Sequence, residues 1–221
     1  MRLFQFLRRQ PVPEVFELPS PAIGAIRLRY PISPAPRVAV FGFRCTDTPS
    51  AQTFAVDDAA GLSRFGPQAF AASLGVFRRL LAPGNLAGGV RSGLDAPLIV
   101  FSDLANGLMT DEDRDWLWNE TGLPVYEQWR GFGGELLAWE CEARDGFHFD
   151  PREARFETSS PDPGDQLLLT TFNGSDCSIH QLPIGYSGLL DTRTCDCGSS
   201  LPRAASLAAV IPRRKSLAIA V

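Results

Sequence analysis

Residues 97–129 read PLIVFSDLANGLMTDEDRDWLWNETGLPVYEQW, and three features of this stretch decide the fold class. Pro97-Leu98-Ile99-Val100-Phe101 is a short, continuous apolar run of the kind buried on both faces in a parallel sheet. Thr110-Asp111-Glu112-Asp113 offers a hydroxyl N-cap and then carboxylates in the first helical turn, where the helix dipole favours negative charge. A helix from there is expected to run to about Glu120 and stop near Gly122, with 125–129 as the next strand. Strand, helix and strand at this spacing make one βαβ unit with a right-handed crossover.

Upstream, residues 11–36 are rich in proline. The alternating Ile26-Arg27-Leu28-Arg29-Tyr30 interrupts them and reads as an edge strand, with 38–43 and 53–56 as further short strands. A helix is expected after Pro67, because Phe70, Leu74, Phe77 and Leu81 recur at helical spacing before Pro83. A glycine-bearing loop then spans 84–97. Downstream of Glu135 the pattern changes to hairpins. Leu137, Trp139 and Cys141 alternate with Ala138, Glu140 and Glu142, which predicts one buried and one largely solvated face. Strands are expected at 154–157, 166–171 and 178–182, with Asp162-Pro163-Gly164 and Asn173-Gly174 as turn signals. The expected architecture is α/β, a βαβ unit followed by a hairpin-rich mixed β region. Residues 1–96 form an N-terminal α/β region, separate or in the same sheet; 97–203 are the second region; 204–221 are a C-terminal tail holding the basic Pro212-Arg213-Arg214-Lys215.

Composition narrows the function classes. The chain has 221 residues, 44% of them hydrophobic, enough for a real core. A net charge of −4 leaves no electrostatic footprint for nucleic acid. Nearly all basic residues are arginine, and Lys215 is the only lysine. There is no apolar run of about twenty residues to span a membrane. The first ten residues lack the apolar run and cleavage site of a signal peptide. The cytoplasm is the expected compartment, and the five cysteines there read as ligands or buried thiols rather than disulfides.

One constellation carries chemistry. Cys141 and His148 are separated by six residues, with Gly146 suited to the turn between them. Cys195-Asp196-Cys197-Gly198 is a C-x-C-G knuckle in which glycine permits a tight backbone and two thiolates face one ion. Three thiolates and one imidazole make a closed tetrahedral shell, the usual form of a structural zinc site. The competing reading makes Cys141, Cys195 and Cys197 unrelated core thiols, since cysteine is commonly buried without a metal. His180, Cys45 and Cys177 read as ordinary core or surface residues.

At these residues the chain resembles the phenylacetate–CoA ligase branch of the adenylate-forming superfamily, over 97–203. The resemblance is carried by the βαβ stretch, by Glu140-Cys141-Glu142 with Asp145-Gly146-Phe147-His148, and by Gly164-Asp165-Gln166-Leu167-Leu168-Leu169-Thr170-Thr171. The family's closing C-x-C-G-x-x-x-P-R segment is matched by Cys195-Asp196-Cys197-Gly198 with Pro202-Arg203. Some relatives hold zinc with the corresponding residues, so the resemblance implies a zinc ion on Cys141, His148, Cys195 and Cys197.

The departures point away from ligase activity. No Ser/Thr/Gly-rich phosphate loop with a lysine precedes residue 97. Where the family carries Tyr-Gly-x-Thr-Glu, this chain has Trp129-Arg130-Gly131-Phe132-Gly133, with Glu135 two positions late. Tyr186 stands where the family's ribose-binding aspartate is expected. Only 18 residues follow Arg203, so the mobile domain with the catalytic lysine is expected to be missing. Acyl adenylation depends on positioning and on neutralising charge on phosphate oxygens, and these groups supply both. The expected function is therefore a zinc-stabilised, non-catalytic binding or accessory module with a protein partner. The alternatives are one half of a split ligase, or an enzyme using Glu127 or Glu135 in a different cleft.

Overall fold

The computed structural model describes residues 26–32, 34–45, 47–82, 94–159, 165–173 and 176–210, without the side chains of Asn173, Asp176 and Cys177. The N-terminal segment before Ile26, the centre of the 84–97 loop, the Asp162-Pro163-Gly164 turn, Gly174 and the basic patch at 212–215 lie outside the described residues. In chain order the elements are β1 (Val38–Phe41), β2 (Ala51–Phe54), α1 (Ala59–Phe65), β3 (Ala69–Ser73), α2 (Leu74–Leu80), β4 (Leu98–Asp103) and α3 (Asp111–Thr121). They continue with β5 (Val125–Arg130), β6 (Leu136–Glu140), β7 (Phe147–His148), β8 (Ala154–Thr158), β9 (Gln166–Asn173), β10 (Asp176–Asp191) and β11 (Arg203–Ala209). These strands make a single mixed sheet in the order β2-β1-β3-β4-β5-β6-β7-β11-β10-β9-β8.

The quoted stretch folds as its chemistry dictates. Leu98 to Phe101 are buried on both faces, and β4 pairs in parallel with β5 across α3. The Thr110 hydroxyl accepts the Asp113 N–H at 3.2 Å, and Asp113 accepts the Thr110 N–H in return. This reciprocal cap satisfies two donors that a helix start leaves open. Gly122 ends α3 at φ +68°, a left-handed conformation that glycine adopts without steric cost.

The parallel half, β2-β1-β3-β4-β5, lies between two cores. On one side Leu62 of α1, Phe77 and Leu80 of α2 and Leu117 of α3 pack on Phe41, Phe70 and Val100. On the other, Ile26, Leu28, Tyr30 and Phe43 cover Val40, Ile99, Phe101 and Tyr126. Among the described residues no helix is long and apolar enough to cross a membrane.

Several expectations need correction. Ala69–Ser73, the front of the helix expected after Pro67, is the buried strand β3, and α2 begins only at Leu74. Phe70, Leu74, Phe77 and Leu81 do share one core, because α2 folds back over the strand that precedes it. Helical spacing was satisfied by two elements instead of one. The expected edge strand at 26–30 makes a single bridge, Ile26 to Cys45. The segment is held over the sheet by side chains: Gln128 Nε2 donates to the Arg29 carbonyl, and Arg130 Nη1 donates to the Arg27 carbonyl at 3.0 Å. β6 has no solvated face, since it is interior to the sheet and Leu136 to Trp139 are all buried. The strand expected at 178–182 extends to the sixteen residues of β10. The segment expected as a tail from residue 204 begins instead with β11, which lies between β7 and β10.

Leu117 is fully buried and anchors α3, whereas Trp118 beside it is 54% exposed. Leu117→Ala should cost about 2–5 kcal/mol of unfolding free energy in a urea titration, through lost burial and the cavity left behind. Trp118→Ala should stay within about 0.5 kcal/mol of the parent.

Candidate metal centre

Two turns from distant parts of the chain build the site. Cys141 follows the last residue of β6, and His148 lies in β7, the returning strand. The turn between them carries Arg144 at φ +53° and Gly146 at φ +89°. A Cβ at Gly146 would lie 2.4 Å from the Ala204 carbonyl oxygen, so only glycine lets this turn pass beneath β11. Cys195 and Cys197 sit between β10 and β11. There the Cys195 carbonyl accepts the Gly198 N–H at 2.8 Å, and Gly198 takes φ +81°.

The turns meet so that the three sulfur atoms and one ring nitrogen all lie within 4.8 Å of one another. Cys141 Sγ is 3.7 Å from Cys195 Sγ, and Cys197 Sγ is 3.5 Å from His148 Nε2. His148 is buried, and its Nδ1–H donates to the Leu201 carbonyl at 3.1 Å. That bond fixes the tautomer and leaves Nε2 with its lone pair turned toward the sulfurs. Trp139 on β6 and Arg203 on β11 are the cross-strand neighbours of His148.

Electrostatics divides the donors. Burial pushes the Cys141 thiol up to about 12, with its thiol neighbours adding to the rise. Burial acts the same way on Cys195, but hydrogen bonds from Cys197 and Cys141 and the charge of Arg203 outweigh it and hold that thiol below its ordinary range. Desolvation lowers the His148 pKa, aided by the charges of Arg203 and Arg29, which favours the neutral imidazole. A cluster of this composition could hold a metal ion. All four residues singled out from sequence are in it. His180, the other histidine, is exposed on β10, and Cys45 is buried beside Thr53.

Comparison with solved structures follows from this architecture. Two structures of 2-hydroxyisobutyryl-CoA ligase in complex with 2-HIB-AMP and CoA superpose on the chain. One, in the thioesterification state, has a TM-score of 0.58 and 16% identity, covering 81% of this chain. The other, an open conformation, has a TM-score of 0.57 and 16% identity, covering 79%. Over that stretch the chain shares the fold of part of these CoA ligase structures. This chain spans 44% of the length of either ligase structure. No protein-family model matches the sequence, and no curated protein does.

Within the ligase fold, the polar residues near the expected ligase motifs serve the protein's own backbone. Tyr186 accepts the Leu108 N–H at 2.8 Å and its ring stacks edge-on against Trp129. Glu135 folds back over its own turn to accept the Gly133 N–H at 2.9 Å. Asp103 accepts the N–H groups of Ala105 and Asn106 at 2.8 and 2.7 Å. It borders a cavity of about 430 Å³ at the C-terminal ends of β3 and β4.

Glu127 is the residue whose setting the sequence did not reveal. It is fully buried, bonded by the Ser102 hydroxyl and by the Met109 N–H at 2.6 Å, with Arg114 at 3.4 Å. Burial raises its pKa to about 7 and the nearby Glu140 adds to the rise, against the pull of those donors and of Arg114. A carboxyl group with a raised folded-state pKa binds its proton more tightly folded than unfolded. Its contribution to stability is present below about pH 4.5 and is lost as pH rises through about 7. From about pH 5 to about pH 8 the parent should lose on the order of 3 kcal/mol relative to Glu127→Gln, measured by denaturant titration at each pH. Parallel stability curves for the two proteins would show that Glu127 is not protonated in the folded state.

Proposed function

We propose that this chain is a zinc-stabilised, non-catalytic derivative of an adenylate-forming ligase that acts as a binding or accessory module for a protein partner. The observation that carries this reading is the four-atom cluster. A tetrahedron with Zn–S bonds of about 2.3 Å and a Zn–N bond of about 2.0–2.1 Å has S···S edges near 3.8 Å and S···N edges near 3.5 Å. The sulfur pair at 3.7 Å and the sulfur–nitrogen pair at 3.5 Å agree with both values. Three thiolates favour zinc over magnesium or calcium, and a reducing compartment such as the cytoplasm keeps them available. Four protein donors leave no open position for substrate, so the role of the ion is structural. It would clamp the β6–β7 turn to the β10–β11 knuckle.

The non-catalytic part of the proposal is supported by how the other polar groups are used. Tyr186, Glu135 and Asp103 hold backbone N–H groups, and Glu127 is sealed from solvent. A second reading, one half of a split ligase, is favoured by the 44% span of the ligase structures. Under that reading the protein would co-purify with a polypeptide carrying a phosphate loop.

Native mass spectrometry of the untagged protein should find one zinc per chain, and none in a Cys195→Ser/Cys197→Ser variant. Chelation should lower the thermal midpoint of the parent and leave that of the variant unchanged. Absence of metal in both proteins, with full thermal stability in the variant, would remove the basis for the structural ion. Pyrophosphate release from ATP with a panel of carboxylic acids should remain at background; release above it would restore the catalytic reading.

A further inference from the structure

The cluster has a charged neighbour outside its four donors. Arg203 opens β11 directly opposite His148, so the two side chains project from the same face of the sheet. Its side chain is only 5% exposed. Nη2 reaches Asp145 at 2.9 Å and Asp191 at 2.8 Å. Nε and Nη1 are buried and have no hydrogen-bond partner. Buried N–H groups of a guanidinium are costly to leave unpaired, so an acceptor is expected where they point.

The two carboxylates do not use up the charge. Asp191 is already neutralised by Arg193, which grips it with Nε at 3.0 Å and Nη2 at 2.7 Å. The Asp145 side chain is 61% exposed, so water screens it. On its other side the Arg203 guanidinium approaches the Cys195 side chain. A divalent ion with three thiolates and a neutral imidazole carries a net charge of minus one in a buried place, which requires a counter-charge. We infer that Arg203 is a positioning residue of the metal centre, balancing the charge of the three-thiolate ion and donating its free N–H groups to the sulfur of Cys195. It rests on the metal-centre reading above and adds a fifth residue to it.

Cobalt(II) added to the full-length protein tests this, with affinity read by competition against a chromophoric chelator and the thiolate-to-cobalt charge-transfer band read alongside. Arg203→Met should weaken cobalt binding by about 10–100-fold, the range typical for partners of metal ligands, and should shift the band. Arg203→Lys, which keeps the charge, should recover most of the affinity and the parent band position. Asp145→Asn should bind cobalt at least as tightly as the parent, because it releases Arg203 from a competing anion. A latch role, with Arg203 merely tying the Asp145 turn to β11, predicts the reverse: Asp145→Asn would weaken binding along with Arg203→Met. That result, or parent-like affinity and band position in a folded Arg203→Met, overturns the inference and leaves the metal centre standing. If Arg203→Met does not fold, the sign of the Asp145→Asn effect decides. Failure of the parent to take up cobalt would instead overturn the metal centre itself, and the inference with it.

Discussion

Three thiols and an imidazole share a space in which no two ligand atoms are more than 4.8 Å apart, and they come from turns 54 residues apart in sequence. That meeting point is the constraint on which the antiparallel half depends. β7 contributes only two residues to the sheet, too few for its ladder bonds to fix it between β6 and β11. What holds it is side-chain chemistry: the His148 ring, its bond to the Leu201 carbonyl, and the glycine that lets its turn run under β11. Buried soft donors crowded this closely repel one another once ionised, unless a cation stands between them. The backbone thus places the donors, and a cation would return the favour by fixing the two turns.

The parallel half obeys a different physics. It is stabilised by ordinary burial, with helices on one face and Ile26, Leu28, Tyr30 and Phe43 on the other. The C-terminal ends of parallel strands are where α/β proteins usually present ligand-binding groups. In this chain the loop that borders the cavity at those ends is tied down by self-contacts. The loop after β4 is bonded to Tyr186 and Glu127 through consecutive N–H groups, at Leu108 and Met109. A loop pinned twice in this way is shaped by the protein and has little freedom to close on a substrate. The ligase fold and the internal use of its polar groups are therefore separable facts, as expected where function resides in sites placed on a shared scaffold.

Much of this was legible because some signals are local. Thr110 and Asp113 cap a helix by contacts three residues apart, and Gly122 ends it by its own conformation, so α3 could be placed closely from the chain alone. The clustering of Cys141, His148, Cys195 and Cys197 was legible because few residue types can share an ion. What was hidden depended on partners distant in sequence. Phe70 and Phe77 fit a helical period, yet only pairing with β1 and β4 makes Ala69–Ser73 a strand. Alternation on β6 suggested a wet face at Ala138 and Glu140, but Ala138 is fully buried and Arg114 of α3 lies 3.1 Å from Glu140. Arg203 looked like the end of a motif, because its two acidic partners and its position opposite His148 appear only once β11 is seated.

The position of β11 has a consequence for the order of assembly. It is the last of the described strands, yet it occupies an interior place between β7 and β10. A nascent chain emerging from the ribosome can complete β1 to β6 from neighbouring segments, and β8, β9 and β10 can form a meander of their own. Before the residues of β11 appear no strand pairing joins these two pieces, which meet only through side chains such as Tyr186 against Trp129. Until then β7 and β10 each present an unpaired edge, the kind of surface that invites mispairing. The closing strand brings the knuckle with it, so the two donors of the late turn arrive in the same event that completes the sheet. For this architecture, contacts of long sequence separation govern the rate of folding, and β11 must be made before the sheet is continuous.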